Sequence, residues 1–331
     1  MGEVLVFGDL HISDKYCGKH RNYFENCVSV LTTMTEIISK RKPYAVVLAG
    51  DLVGVSTDDR TVRDRGTLMY LWKVISTWNE LVNGNLYGVI GNHDRGGKHT
   101  EADFFAYMGL IKYQNYFDHN NLRVHLVHYG DESRSLDIDP ASECNVVVGH
   151  NAFLIEGQTT WFKVREGMLL SEMKNFKGVD IVLSGHIHYP SSVINETSID
   201  DAPIGLFYMG CPTRPRKEPM MWDRVYYPTL VVSDDLSVNT EVSINLNEIV
   251  LSPLESLFVS TYDDDMTDFD SMLDNPSIDI DGLAEILSEL SKYALPGLED
   301  YKSQLRRLAG VDTEAANLAI KFLEEAESVL K

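Results

Sequence analysis

Hydrophobic positions in the first third of the chain follow two rhythms. Short aliphatic runs (Val4 to Phe7, Ala45 to Ala49, Leu86 to Ile90) have the length and β-branching of buried strands. Between them, apolar residues recur at helical spacing. Asn22 to Lys40 carries Phe24, Cys27, Val28, Leu31, Met34, Ile37 and Ile38, and Thr61 to Val82 carries Leu68, Leu71, Trp72, Ile75, Trp78 and Leu81. Pro43 and Asn83-Gly84 supply stop signals after the two helices. Strand, helix, strand, helix, strand in this order predicts parallel strands with right-handed crossovers, and so an α/β fold.

From about Leu122 the pattern changes to shorter strands: Arg123 to His128, Asn145 to Val148, Asp180 to Leu183, Gly205 to Met209 and Thr229 to Val232. Residues 150–178 form an excursion in which Met168 to Lys177 reads as a helix. The composition shifts again near 246. An acidic stretch, with Tyr262-Asp263-Asp264-Asp265 and Asp268 to Asp270, reads as a linker or small accessory element over 246–276. Three amphipathic patterns follow, Ile280 to Tyr293, Gly297 to Leu308 and Thr313 to Leu330. The expected organisation is therefore a catalytic domain over 1–245, the acidic element over 246–276 and a helical tail over 277–331. Such a tail either packs on the core or docks on a partner.

The candidate chemistry sits where the strands end. Asp9-Leu10-His11, Gly50-Asp51, Gly91-Asn92-His93-Asp94, Gly149-His150 and Gly185-His186-Ile187-His188 mostly follow an aliphatic run. Strands of one sheet ending at a common edge would converge these carboxylate, amide and imidazole groups. Such mixed oxygen and nitrogen donors suit divalent metals. Two ions ~3.5–4 Å apart can activate water and clamp a phosphoryl group. Glycine before several of these residues permits tight turns and close backbone approach.

The five blocks, in order, resemble the signature of the calcineurin-like metallophosphoesterases: DxH, GD, GNH(D/E), GH and GHxH. That resemblance implies a two-sheet αββα sandwich. It places one metal on Asp9, His11, Asp51 and His188 and the other on Asp51, Asn92, His150 and His186. His93 would be the general acid, with Asp94 orienting it. The two implied ions are manganese first, with magnesium, iron, zinc or nickel as the other fits. His20, His99, His119, His125 and His128 belong to no block; His119 and His125 read as ordinary histidines, and His99 and His128 read as ordinary too, with a place near the site as their alternative.

Within that superfamily the chain looks most like the SbcD-type nuclease subunit of DNA-repair complexes, including shorter bacteriophage versions. Val147-Val148-Gly149-His150-Asn151, the turn Tyr208-Met209-Gly210-Cys211-Pro212-Thr213-Arg214, and a helical tail after a polar linker carry this likeness. It implies a metal-dependent DNA exo- or endonuclease, hydrolysing phosphodiesters with a metal-activated water. The implied partners are DNA, an SMC-like ATPase subunit bound through the C-terminal helices, and a second copy of the chain. One departure stands out. Members of that subfamily commonly carry a histidine three residues after the Asp of the GD block, whereas this chain reads Asp51-Leu52-Val53-Gly54.

Charge modifies this picture. The formal net charge is −21, from 29 basic and 50 acidic residues, and −13 of it lies in residues 246–331. So acidic a chain is not a self-sufficient DNA binder, and a partner is expected to supply much of the grip. Basic residues near the blocks are the candidate substrate contacts: Arg95, Lys98, Arg214 and Arg216. Two alternatives stay open. One is a small-molecule or phosphoprotein phosphatase on the same dinuclear site, and the other is a partner-recruiting module with weak catalysis. Four scattered cysteines without a CxxC pair read as reduced thiols of a cytoplasmic protein, or of a viral protein acting in a host cytoplasm. Neither a signal peptide nor an apolar run of ~18 residues is evident, so no membrane association is expected.

Overall fold

The computed structural model describes residues 2–13, 20, 22–54, 65–94, 101–138, 142, 144–155, 167–199, 202–215, 223–233, 241–253 and 257. Two principal sheets make up this part of the chain. The first contains β1 (Gly2–Phe7), β2 (Ala45–Leu48), β3 (Leu86–Gly88), β12 (Arg224–Ser233) and β13 (Glu241–Val250), in the order β13-β12-β1-β2-β3. β1, β2 and β3 are mutually parallel, with Val4 opposite Ala45 and Val46 opposite Leu86, whereas β12 and β13 are antiparallel. The second contains β4 (Tyr116–His119), β5 (Leu122–Val127), β6 (Cys144–Gly149), β9 (Ile181–Ser184), β10 (Ser191–Ile199) and β11 (Ala202–Tyr208), in the order β10-β11-β9-β6-β5-β4. Its four central strands are parallel and its two edges antiparallel.

Side-chain alternation along β1 explains the layering. Leu5 and Phe7 face α1 (Tyr23–Arg41), α2 (Arg65–Leu81) and α3 (Glu101–Tyr107), packing with Leu31, Met34, Leu71, Ile75, Trp78 and Phe105. Val4 and Val6 face the other sheet and pack with Val124, Leu126, Val146, Val148, Leu183 and Phe207. The period of two that gives strands two faces thus builds a helix layer and an inter-sheet core from the same four residues. A third apolar cluster covers the outer face of the second sheet, where Val147, Val182 and Leu206 meet Phe153, Leu170 and Phe176.

That outer cover departs from expectation. In place of a helix over Met168 to Lys177 there is a short strand pairing of β7 (Phe153–Leu154) with β8 (Met168–Leu169), followed by 3-10 turns at Leu170–Glu172 and Lys174–Phe176. The buried residues are Leu170, Met173 and Phe176. Their spacing of three matches a 3-10 turn, whose side chains eclipse every third residue, better than an α-helix. A second difference concerns the sheet edge. β13 continues through 246–250, paired with β12 to Val250, so the first residues of the expected acidic element are strand. The rest of that element apart from 251–253 and 257, and the tail over 277–331, lie outside the described residues. Among the described residues, no helix is long and apolar enough to cross a membrane.

Candidate metal centre

Five parallel strands from both sheets deliver the site. Asp9 and His11 follow β1, Asp51 follows β2, and Asn92 follows β3. His150 follows β6, and His186 and His188 follow β9. The crevice beyond the carboxyl ends of parallel strands is the usual ligand position in open α/β sheets. Asp9, His11, Asp51 and His150 are all essentially inaccessible to solvent.

The seven predicted donors meet in two groups that share Asp51. In the first, His11 Nε2 lies 3.1 Å from His188 Nε2 and 3.5 Å from Asp51 Oδ2, and His188 Nε2 lies 3.6 Å from Asp9 Oδ2. In the second, His150 Nε2 is 3.0 Å from both Asp51 Oδ2 and Asn92 Oδ1, and His186 Nδ1 is 3.1 Å from the same Asn92 oxygen. Ligands ~2.1 Å from an octahedral ion stand about 3 Å from one another. Most of these donor–donor separations therefore suit atoms gathered around a common cation.

The tautomers point the same way. His11 Nδ1 contacts the Gly54 carbonyl at 2.5 Å and His150 Nδ1 contacts the Ala49 carbonyl at 2.8 Å. Each contact requires a proton on Nδ1, so a neutral ring turns the lone pair of Nε2 inward. Around Asp51 Oδ2 and Asn92 Oδ1 the pocket thus assembles acceptors facing acceptors, which only a positive charge can reconcile. A proton on His150 is one such charge. Burial opposes a charge on His150, yet Asp51 and Asp9 outweigh it and push its pKa up to about 10. Burial pushes Asp9 up to about 6. Burial would raise Asp51 too, but His150, His11 and His93 hold it below the usual carboxylate range. Burial lowers His11 to about 3 and His186 to about 4, keeping those imidazoles neutral and able to donate a lone pair. The residues present fit two divalent cations.

Backbone conformation concentrates strain at the same place. His11 (φ 46°), Asp51 (φ 46°) and His186 (φ 69°) are non-glycine residues in the left-handed region. Each such position costs ~1–2 kcal/mol and persists only where its surroundings dictate it. The N–H groups of Leu10 and His11 both donate to the Asp51 carbonyl, and the His186 N–H donates to the Asp9 carboxylate. Gly91 lies so close to Asp51 that a side chain there would collide with the carboxylate.

His93 lies beside this cluster, its ring edge-on to His11 with centroids 4.9 Å apart and its backbone N–H donating to Asp51 Oδ1 at 2.8 Å. Both carboxylate oxygens of Asp94, expected to orient His93, meet backbone amides. Its Oδ1 accepts the Leu52 N–H at 3.0 Å and its Oδ2 the Gly91 N–H at 2.9 Å. It ties together the two loops that carry Asp51 and Asn92. Arg214, expected to face substrate, is instead buried in the turn after β11 (φ 47°), donating to the Ser252 carbonyl at 2.6 Å. The length of its side chain reaches the end of β13 rather than the crevice. Arg95, Lys98, Arg216 and His99 lie outside the described residues.

Other residues near the site carried no spacing signal. Tyr129, just past β5, holds its ring 6.1 Å from that of His186. Cys211 Sγ lies within reach of the His11 and His188 nitrogens. His128, for which a place near the site was the alternative reading, accepts the Ile90 N–H at 3.1 Å and so anchors the approach to the GNHD block. His119 stacks on Tyr44, and burial lowers the pKa of His125.

Comparison with known proteins adds three findings. A family model described as calcineurin-like phosphoesterase matches residues 2–190. No curated protein matches the chain. Matching solved structures include a dimetal phosphatase from Danio rerio, 11% identical, covering 76% of this chain and 99% of that one with a TM-score of 0.47. A purple acid phosphatase from yellow lupin (Lupinus luteus) is 13% identical, covers 69% and 49% of the two chains, and has a TM-score of 0.38. Zinc-bound Vps29 from Entamoeba histolytica is 12% identical, covers 76% and 99%, and has a TM-score of 0.35.

Proposed function

The chain belongs to the calcineurin-like phosphoesterase family, and from that premise we propose that it is a two-metal-dependent DNA nuclease, the nuclease subunit of an SbcCD-like complex. The observation that carries the metal-dependent hydrolysis is the Asp51 carboxylate shared by two donor groups. The DNA specificity rests on the Val147 to Asn151 segment, the Tyr208 to Arg214 turn and the amphipathic pattern of the tail.

Asp9, His11, Asp51 and His188 would hold one ion, and Asp51, Asn92, His150 and His186 the other. The bound pair supplies an activated water and charge neutralisation at a phosphodiester. The remaining chemistry falls to protein groups. His93, edge-on to His11, would protonate the leaving oxygen. Asp94 holds the two ligand loops in register through Leu52 and Gly91. The Gly54 carbonyl occupies His11 Nδ1, so the loop after the GD block serves ligand orientation at the place where subfamily relatives carry a histidine. The acidic balance of the chain fits a role in which an SMC-like ATPase, docked on residues 277–331, provides much of the DNA contact.

Purified protein supplied with manganese should degrade linear duplex or single-stranded DNA. His93→Ala should lose ~10²–10⁴-fold in rate while retaining metal. Intact DNA together with fast turnover of nitrophenyl phosphate would sink the nuclease reading. That outcome would establish the alternative that the net charge of −21 favours, a phosphatase acting on small molecules or phosphoproteins.

A further inference from the structure

Both imidazoles of the first donor group are held from behind by a buried polar brace that no signature block contains. It consists of the first turn of α1 and the turn after β11. The Tyr23 hydroxyl donates to the His11 carbonyl at 2.7 Å and lies 3.0 Å from Thr213 Oγ1. The Thr213 hydroxyl donates to the Leu10 carbonyl at 2.7 Å. Asn26 Nδ2 donates to the Thr213 carbonyl at 2.7 Å, and the Cys211 N–H donates to the His188 carbonyl at 3.0 Å. Tyr23, Asn26 and Thr213 are all buried.

The arrangement pins one peptide from two sides. The Leu10 and His11 N–H groups both point at the Asp51 carbonyl. Their own carbonyls point the opposite way, into Tyr23 and Thr213. His11 sits between these anchors in a left-handed conformation. The aim of its Nε2 is therefore set jointly by the Gly54 carbonyl at Nδ1, by the backbone of Asp51 and by the brace. The second donor group is held otherwise. His150 is fixed by the Ala49 carbonyl, and the His186 N–H by Asp9.

We propose that Tyr23 and Thr213 are positioning residues for the first metal pocket, adding to the shared Asp9 and Asp51 a support on which the second pocket does not draw directly. This rests on the two-ion reading above. Removing either hydroxyl releases a carbonyl that keeps His11 aimed, so the affinity of the first ion falls and that of the second does not. Groups that orient metal ligands from behind are typically worth ~10–100-fold in metal affinity.

The test is manganese titration of the full chain by calorimetry, with electron paramagnetic resonance of the ion, on wild type, Tyr23→Phe, Thr213→Val and Thr213→Ser. Both Tyr23→Phe and Thr213→Val preserve shape while deleting a hydroxyl. Expected is one of two binding steps weakened by at least ~10-fold and the other unchanged. The resonance signal of a coupled pair should give way to that of a single ion at one equivalent, with Thr213→Ser behaving as wild type. Equal weakening of both steps, an unaltered titration, or failure of Thr213→Ser to restore the first step overturns the inference. A wild-type chain that takes up fewer than two ions would overturn the underlying two-metal reading instead, and is read from the wild-type titration alone.

Discussion

Gly185→Ala puts the closeness of the two sheets at the metal centre to a direct test. Gly185 opens the turn after β9, where its N–H donates to the Gly149 carbonyl at 2.9 Å. A methyl added to its Cα would lie 2.5 Å from the Ala49 carbonyl oxygen, 2.5 Å from Asp9 Oδ1 and 2.9 Å from His150 Nδ1. Ordinary carbon–oxygen contact begins near ~3.3 Å, so two oxygens must retreat by most of an ångström. Neither is free to do so, because the Ala49 carbonyl fixes the His150 tautomer and Asp9 accepts the His186 N–H. Overpacking of this kind costs ~1–3 kcal/mol. At roughly 2–4 °C per kcal/mol for a domain of ~150–250 residues, the melting temperature should fall by about 2–12 °C. A ligand shift approaching 1 Å should cost about 10²-fold in phosphodiester hydrolysis. Differential scanning calorimetry, manganese calorimetry and turnover of bis(nitrophenyl) phosphate read these effects. Gly84→Ala is the control. Its φ of +80° penalises a side chain by ~1–2 kcal/mol, but nothing lies within 4 Å, so metal affinity should stay intact. Wild-type manganese affinity and melting in Gly185→Ala would show that the site is not built as tightly as described.

Three further outcomes are expected. Burial, reinforced by Arg214, lowers the His20 pKa from 6.5 to about 4. The unfolded chain therefore takes up that proton first, and this group's share of stability, full above pH 6.5, is lost as pH falls toward 4. His20→Phe should flatten urea-unfolding stability between pH 7 and 5 by up to about 2 kcal/mol relative to wild type, and parallel curves would refute the assignment. Asp94→Asn keeps the volume but can accept only one of the two N–H groups at Leu52 and Gly91, so thermal unfolding should register a loss of ~1–3 kcal/mol together with weaker manganese binding; an unchanged melting temperature would contradict its anchoring role. Deleting residues 276–331 should abolish capture of an SMC-like ATPase while leaving metal content unchanged, and a partner that still binds would remove the docking proposal.

The candidate metal donors were legible in the sequence because most ride on a local signal. An aliphatic run, then a glycine, then a carboxylate or imidazole reads as a strand end without any knowledge of the partner strand. The two long helices were legible for the same reason, since Leu71, Ile75 and Trp78 keep helical spacing over several turns. The 3-10 cover was not, because Leu170, Met173 and Phe176 were read against a period of 3.6 when their spacing of three was the better guide. Arg214 looked like a substrate contact because position after a strand says nothing about where a long side chain turns. Its destination, Ser252, depends on β13, an element not foreseen from the sequence. Tyr23 and Thr213 stayed invisible because their bond spans 190 residues and neither residue type announces metal chemistry.

Asp9, His11, Asp51 and Asn92 belong to one sheet, and His150, His186 and His188 to the other. Any cation seated there is a rivet through the sandwich, gripped by both plates at once. Its binding energy then counts toward keeping the plates together, by an amount that grows with the logarithm of free ion concentration. Chelation should loosen the whole assembly rather than merely silence it, and a cell that starves this protein of metal would face a softer fold as well as an idle one.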